Sequence, residues 1–254
     1  MRIDLNSDVG ESYGAWTMGQ DDALMPLITS ANIACGAHAG DPLVMARTVA
    51  LAVEHGVSVG AHPGYPDRDG FGRRDLDMTD AELEASLLYQ LGALAAIVRV
   101  AGETMAHVKP HGALYNRAAR DERLASAICR AVAAFDSSLV VVALAGSPML
   151  AVAQAAGLAT ASEAFADRAY ESDGSLRSRR LAGALLPSPG AAAAQAVAIA
   201  TEGRLTSYDG NAVKVRADTL CIHGDTPGAA DYARAVRAAL EAAGVTVGRL
   251  GRDG

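Results

Sequence analysis

Lysine is almost missing from this 254-residue chain: Lys109 and Lys214 are the only two among 22 basic residues. Wherever a surface cation suffices the chain uses arginine, so a lysine in the stretch "AHVKPHGALYN" marks a position where an ammonium is wanted for its chemistry. Cysteine is scarce too. Cys35, Cys129 and Cys221 are odd in number and lack paired-ligand spacing, which excludes a disulfide framework and a cysteine-rich zinc site. Aromatics make up 4% of residues while half are apolar, so the core must pack through small side chains. A formal charge of −7 and a pI near 5.3 leave no basic surface for a phosphate backbone, and nucleic acid is excluded as a main partner. No unbroken apolar run has membrane-spanning length, and "MRIDLNSD" carries no leader-type pattern, so the expected location is cytoplasmic and without membrane contact.

What is there repeats. Seven β-type runs, "RIDLNSD", "ITSANIAC", "VSVGAH", "MAHVKP", "LVVVAL", "LATASEA" and "DTLCIHG", are each followed by a polar or glycine-rich loop and then a helical pattern. That alternation is the signature of βα units around a parallel sheet. Asp41-Pro42, Ser147-Pro148, Ser188-Pro189 and Thr226-Pro227 read as N-cap and first helical position. Thr79 and Glu82 have capping-box spacing, and Gly56, Gly102, Gly157, Gly203 and Gly244 read as C-terminal caps. With no linker or low-complexity tract, the chain is expected to be one domain over residues 1–254, a β/α barrel with an open doubly wound sheet as the alternative.

Polar residues gather where the strands end. Asn6 and Asp8, then Asn32, Cys35 and His38, then His62, Lys109 and His111, Glu163 and Asp167, and finally His223 and Asp225 all fall at or just after strand C-termini. A parallel barrel builds its active site on that face. His55 reads as a partner of a helix dipole and His107 as a strand residue outside the site. Lys109 either binds an anion, titrates low through burial, or pairs with a carboxylate. "CGAH" offers half of a zinc-ligand spacing, and Cys35 reads equally as a thiol nucleophile or as packing, with Cys129 and Cys221 in the core. The loop "HPGYPDRDGFGRRD" reads as a lid bringing Arg73 and Arg74 over an anionic group, and "FADRAYESDGSLRSRR" contributes Arg168 and Arg179. No P-loop sequence is present.

Taken together, "DLNSDVGE", "ANIACGAHAGDP", "GAHPGYPDRDGFGRR", "HVKPHGALYN", "EAFADRAYESDG" and "ADTLCIHGD" resemble the LamB/YcsF family in order and over nearly the whole chain. The resemblance implies a distorted seven-stranded parallel β/α barrel, TIM-like and of the glycoside hydrolase/deacetylase type. It also implies an ATP-dependent 5-oxoprolinase, in which 5-oxo-L-proline becomes L-glutamate as ATP becomes ADP and phosphate, with this chain as the A subunit beside subunits B and C. Ser7 stands where the family commonly has cysteine, which removes a thiol nucleophile from that position.

On this reading Asp8, His62, Lys109 and His111 are the catalytic candidates. An aspartate or histidine serves as general base towards a phosphorylated lactam, and Lys109 with an arginine neutralises the substrate carboxylate or the developing oxyanion. Asn6, Asn32, His38, Arg73, Glu163, Arg168, Arg179, His223 and Asp225 are the binding candidates. ATP is the co-substrate, accompanied by magnesium; related barrels hold a divalent metal with an aspartate and histidines, so Asp8, His62 and His111 are the expected ligands of any resident ion. The alternatives are a stand-alone metal-dependent amidase or deacetylase and a non-catalytic lactam-binding subunit.

Overall fold

The computed structural model describes residues 1–226 and 228–250. In chain order the elements are β1 (Arg2–Val9), α1 (Asp21–Leu24), β2 (Ser30–Ala34), α2 (Pro42–Glu54), β3 (Ser58–His62), α3 (Asp80–Val100), β4 (His107–Val108), α4 (Gly112–Ala118), α5 (Glu122–Phe135) and β5 (Val140–Leu144). They continue with α6 (Pro148–Ala155), β6 (Ala159–Phe165), α7 (Pro189–Glu202), β7 (Arg204–Thr206), β8 (Ala212–Lys214), β9 (Thr219–His223), α8 (Ala229–Ala242) and β10 (Thr246–Val247). Strands β1 to β6 pair in sequence order and in parallel, and β9 bonds to both β6 and β1. The sheet therefore closes into a seven-stranded barrel, and the open-sheet alternative falls away. All seven expected runs are barrel strands. The antiparallel β7–β8 hairpin and β10, which pairs with the start of β1, are additions the sequence patterns did not mark.

Most of the helix signals act as their chemistry dictates. Asp41 accepts from the amides of Leu43 and Val44, Ser188 accepts from Ala191, and Thr79 with Glu82 forms a reciprocal capping box. Two differ. Ser147 occupies the N-cap of α6 but its hydroxyl makes no capping bond. Helix α8 begins after Gly228, so Thr226 is not its cap, and Pro227 lies outside the described residues. The 21-residue α3 is long and apolar enough to cross a membrane by length and composition alone. Its stripe Leu83, Leu87, Leu91, Leu94 and Val98 is buried, and its N-terminal part ion-pairs through Asp80 and Glu84 with Arg130 of α5. It is one of the outer helices of the barrel.

The barrel interior is unusual in being polar. Alternation along β1 sends Ile3, Leu5 and Val9 into the apolar core, while Asp4, Asn6 and Asp8 meet side chains from across the barrel. Below, Asp4 accepts from the hydroxyls of Thr29, Ser30 and Thr219. In the middle, Asn6 bonds to Asn32, Glu163 and Thr219. His107 lies in this layer as well, its Nε2 2.8 Å from the Asn32 carbonyl oxygen. Its ring occupies the space where a side chain on Gly60 would stand, since a Cβ there would sit 2.1 Å from His107 Nε2. His107, expected outside the site, does not line the cavity above; it shares its strand face with Lys109 two residues on, and it fixes the amide of Asn32 that in turn donates to Asp8.

Candidate active site

Above the polar column a cavity of about 800 Å³ opens at the C-terminal ends of the strands. Lys109 is 2% exposed and rises into its floor, with its ammonium 2.9 Å from Asp8 Oδ1, 2.9 Å from Glu163 Oε1 and 3.1 Å from Cys221 Sγ. Burial works against the Lys109 charge, but Asp8 and the other acidic neighbours hold its pKa well above the ordinary value. With two carboxylates at 2.9 Å, the surroundings favour the ammonium over a low-titrating lysine. Asp8 is also buried, yet His62 and Lys109 keep its carboxyl well below the usual range. The two form a charged pair: Asn32 also donates to Asp8 Oδ1, Asn6 Oδ1 lies 3.4 Å from the ammonium, and Asp8 Oδ2 faces His62 Nε2 at 3.5 Å.

Beside this pair stand three histidines. The imidazole of His62 donates from Nδ1 to the Lys109 carbonyl at 2.8 Å, and that of His111 donates from Nε2 to the Phe71 carbonyl at 2.8 Å. His62 Nε2 and His111 Nδ1 then face one another at 2.9 Å. His38 stacks flat on His111, ring centroids 3.7 Å apart, and Glu11 Oε1 lies 3.5 Å from both His38 Nε2 and His111 Nδ1. Burial, then the charges of Asp8 and Asp225, push the Glu11 carboxyl well above its usual range. Burial and the neighbouring imidazoles pull His38 and His111 well below theirs.

The glycine-rich loop after β3 exists to admit these rings. A Cβ on Gly64 would stand 2.8 Å from His38 Nδ1, and one on Gly72, whose φ is +62°, would stand 2.8 Å from both His111 and His38. Of its three arginines, Arg68 donates to the Tyr13 hydroxyl and the Gly36 carbonyl, Arg74 pairs with Asp67 and Arg73 with Asp225. Arg179 also reaches Asp225, at 3.2 Å, so two guanidinium groups converge on one carboxylate at the cavity rim.

The candidate residues divide by height. Asp8, His62, Lys109, His111, Arg73, Arg168, Arg179, His223 and Asp225 line the cavity. Asn6, Asn32 and Glu163 lie beneath it and act through Asp8 and Lys109, while His38 sits behind His111. Arg168 spends its Nε and Nη2 donors on the carbonyls of Ala184 and Arg177, which braces the loop after β6. His223 is oriented by Asp167 through Nδ1 at 3.0 Å and stacks on Phe165. Ser7 points away, donating to the Ile222 carbonyl, and Cys35 is a buried thiol pushed up to about 12 by burial, which removes it as a nucleophile.

Glu11 and Tyr115 line the cavity although sequence reasoning passes over them. Glu11 is legible as the carboxylate three residues beyond Asp8 in "DLNSDVGE", and Tyr115 as the residue one helical turn after His111. Cys221, expected in the core, is buried but touches the Lys109 ammonium.

The LamB/YcsF family model matches residues 3–253. The A subunit of 5-oxoprolinase from Chloroflexus aggregans is 56% identical over 97% of this chain and 98% of its own length. The crystal structure of a "Lactam Utilization Protein" from Thermus thermophilus superposes with a TM-score of 0.93 at 49% identity, covering 98% of this chain and all of that one. A family 4 carbohydrate esterase from Streptomyces lividans, at 13% identity and a TM-score of 0.50 over 98% of this chain and 93% of its own, shares the fold alone. Matched from end to end by one family and built on its barrel, the chain is a member of the LamB/YcsF family.

Proposed function

We propose that this chain is the lactam-opening subunit of an ATP-dependent 5-oxoprolinase, working with subunits B and C in the cytoplasm. The observation that carries this reading is the buried Lys109 ammonium, locked between Asp8 and Glu163 at the floor of a cavity rimmed by arginines. Its support is the similarity to relatives named as the A subunit of that enzyme.

A five-membered lactam is a stable amide, so the reaction needs both activation of the ring and stabilisation of the charge that develops on opening. Transfer of the γ-phosphoryl group of ATP to the lactam oxygen releases ADP and leaves a reactive imidate carbon. Water adds to that carbon, the carbon–nitrogen bond breaks as the nitrogen takes a proton, and a second water converts the acyl phosphate to glutamate and phosphate. Arg179 and Arg73 at the rim meet the substrate carboxylate, exchanging their shared hold on Asp225 for it. Lys109 supplies fixed positive charge towards the oxyanion, in a site where no reorganisation is needed. Asp8 Oδ2, which Lys109 leaves free by pairing with Oδ1 and which lies 3.5 Å from His62 Nε2, is the proton acceptor for water. Magnesium enters with ATP.

The histidine and carboxylate cluster keeps one competing reading in play, a metal-dependent amidase that needs no nucleotide. Release of glutamate and phosphate from 5-oxoproline and ATP separates the two. The expected result is release by the chain together with B and C, none by the chain alone, and none when Lys109→Ala replaces the wild-type chain in an assembled complex. Turnover by the isolated chain with a metal ion and no ATP would establish the amidase instead.

A further inference from the structure

The pairing of His62 with His111 contains a contradiction that one cation would resolve. A backbone carbonyl can only accept, so the Lys109 carbonyl fixes the hydrogen of His62 on Nδ1 and the Phe71 carbonyl fixes that of His111 on Nε2. Both remaining nitrogens are then bare lone pairs, and they face each other at 2.9 Å. Close by, His38 is 1% exposed with neither ring nitrogen partnered among the described residues, and Glu11, 6% exposed, has an unpartnered Oε1. Buried polar atoms left this way are costly unless something binds them.

We propose that Glu11, His38, His62 and His111 form a binding site for one divalent first-row transition ion, with zinc as its representative. A single proton shared by His62 and His111 would relieve only their two nitrogens. A metal ion takes one donor from each of the four residues, whose candidate atoms all lie within 4.8 Å of one another. Around a tetrahedral ion with bonds of about 2.1 Å, neighbouring donors stand about 3.4 Å apart. The separations of Glu11 Oε1 from His38 Nε2 and His111 Nδ1 are 3.5 Å.

Three imidazoles and one carboxylate suit zinc and its neighbours, whereas magnesium prefers oxygen donors and bound water. The outer support is present too, since His62 and His111 each spend their second nitrogen on a carbonyl, as metal-bound histidines do. This ligand set differs from the expected Asp8, His62 and His111: Glu11 and His38 are in it, and Asp8 stands beside it, tied to Lys109. In the other grouping of donors, Asp8 with Cys221 and His223, the Lys109 ammonium already engages two of the three, Asp8 and Cys221.

The site rests on geometry and not on the ATP-coupled reading, and its test reads metal rather than turnover. Chelator-treated full-length chain is titrated with Zn²⁺ by calorimetry and with Co²⁺ by visible absorption. One equivalent of each is expected, with Co²⁺ bands of the intensity that marks four or five ligands. Glu11→Gln, which keeps shape and removes charge, and His38→Ala should each weaken binding at least tenfold, while Ser30→Ala at the far end of the barrel leaves it unchanged. Near-UV circular dichroism shows that each variant is folded; should His38→Ala not fold, Glu11→Gln decides alone. Absence of stoichiometric binding by folded wild-type chain, or binding that Glu11→Gln leaves intact, would overturn the proposal in favour of a shared proton.

Discussion

Asp4 and Asp8 lie on the same strand, four residues apart, both buried and both directed into the barrel, yet their surroundings are opposite. Among the described residues Asp4 is met only by neutral donors, the hydroxyls of Thr29, Ser30 and Thr219 and the Leu250 amide, and burial pushes its pKa up despite them. Asp8 is met by Lys109 and His62, which pull its pKa well down against a comparable burial. At the lower end both oxygens of Asp4 are matched to donors. At the upper end, charge is concentrated and several buried polar atoms, on Glu11, His38, Tyr115 and Glu163, have no partner among the described residues. A fold that satisfies one carboxylate so fully at one end has no structural need for the imbalance at the other, so the imbalance belongs to binding and chemistry.

The largest break in this contrast should come from Lys109. Replacing it with alanine leaves Asp8 and Glu163 as buried carboxylates without their cation, which should cost about 3–5 kcal/mol of stability and reduce activity of the assembled complex by at least about a hundredfold. Denaturant unfolding of the chain and turnover of the complex measure the two losses. A loss of stability with full activity would reduce Lys109 to a structural residue.

Next comes the wall of the histidine cluster. Gly72→Ala brings a methyl group against two imidazoles in a left-handed conformation, and should cost about 2–3 kcal/mol. Gly210 has φ +84° but nothing within 4 Å of a built Cβ. Gly210→Ala should therefore show only the conformational part, about 1 kcal/mol. Equal losses at the two positions would mean that the rings yield easily and that the cluster is not tightly built.

Smaller again is the lower end. Ser30→Ala removes the 2.6 Å hydrogen bond to Asp4 Oδ1, and with two other hydroxyls still in place the loss should be about 1–2 kcal/mol. The kcat of the complex should stay within about twofold, since no substrate-facing group moves. A large fall in kcat would show that the two ends are coupled through the Asn6 and Thr219 layer.

How much of this contrast the sequence displays differs between fold and site. The barrel strands stand out because parallel strands buried on both faces give short, dense apolar runs, and "LVVVAL" shows the pattern at its plainest. The β7–β8 hairpin does not, because three-residue strands with one buried side chain each are too short to show a period. At the site, Asp8, His62, Lys109 and His111 are visible as polar residues ending strands. His107, two residues before Lys109 on the same strand face, lies below the cavity, as its place on the strand rather than beyond it implies. The approach of Glu11 and His38 to His111 cannot be read at all. It depends on loops from three strands meeting in space, on the missing side chains of Gly64 and Gly72, and on the Phe71 carbonyl that turns the His111 ring.

A third carboxylate, Asp21, sharpens the comparison by having neither kind of help in full. Among the described residues it accepts one backbone bond, from Gly10 at 2.9 Å, and has no cation of its own; burial, with Asp22 beside it, raises its pKa to about 6. A carboxyl whose pKa is raised on folding stabilises the protein while protonated. Its contribution is complete below the unfolded value of 3.8 and is lost as pH climbs through about 6. Asparagine keeps an acceptor for Gly10 and carries no charge to bury. Asp21→Asn should thus match the wild-type stability near pH 4 and exceed it by about 1 kcal/mol near pH 8, allowing for the partial exposure of the group. Urea unfolding of both proteins at the two pH values gives the difference directly. A gain of the same size at pH 4 would trace it to packing rather than to charge, and Asp21 would then join Asp4 as a carboxylate that its surroundings accommodate.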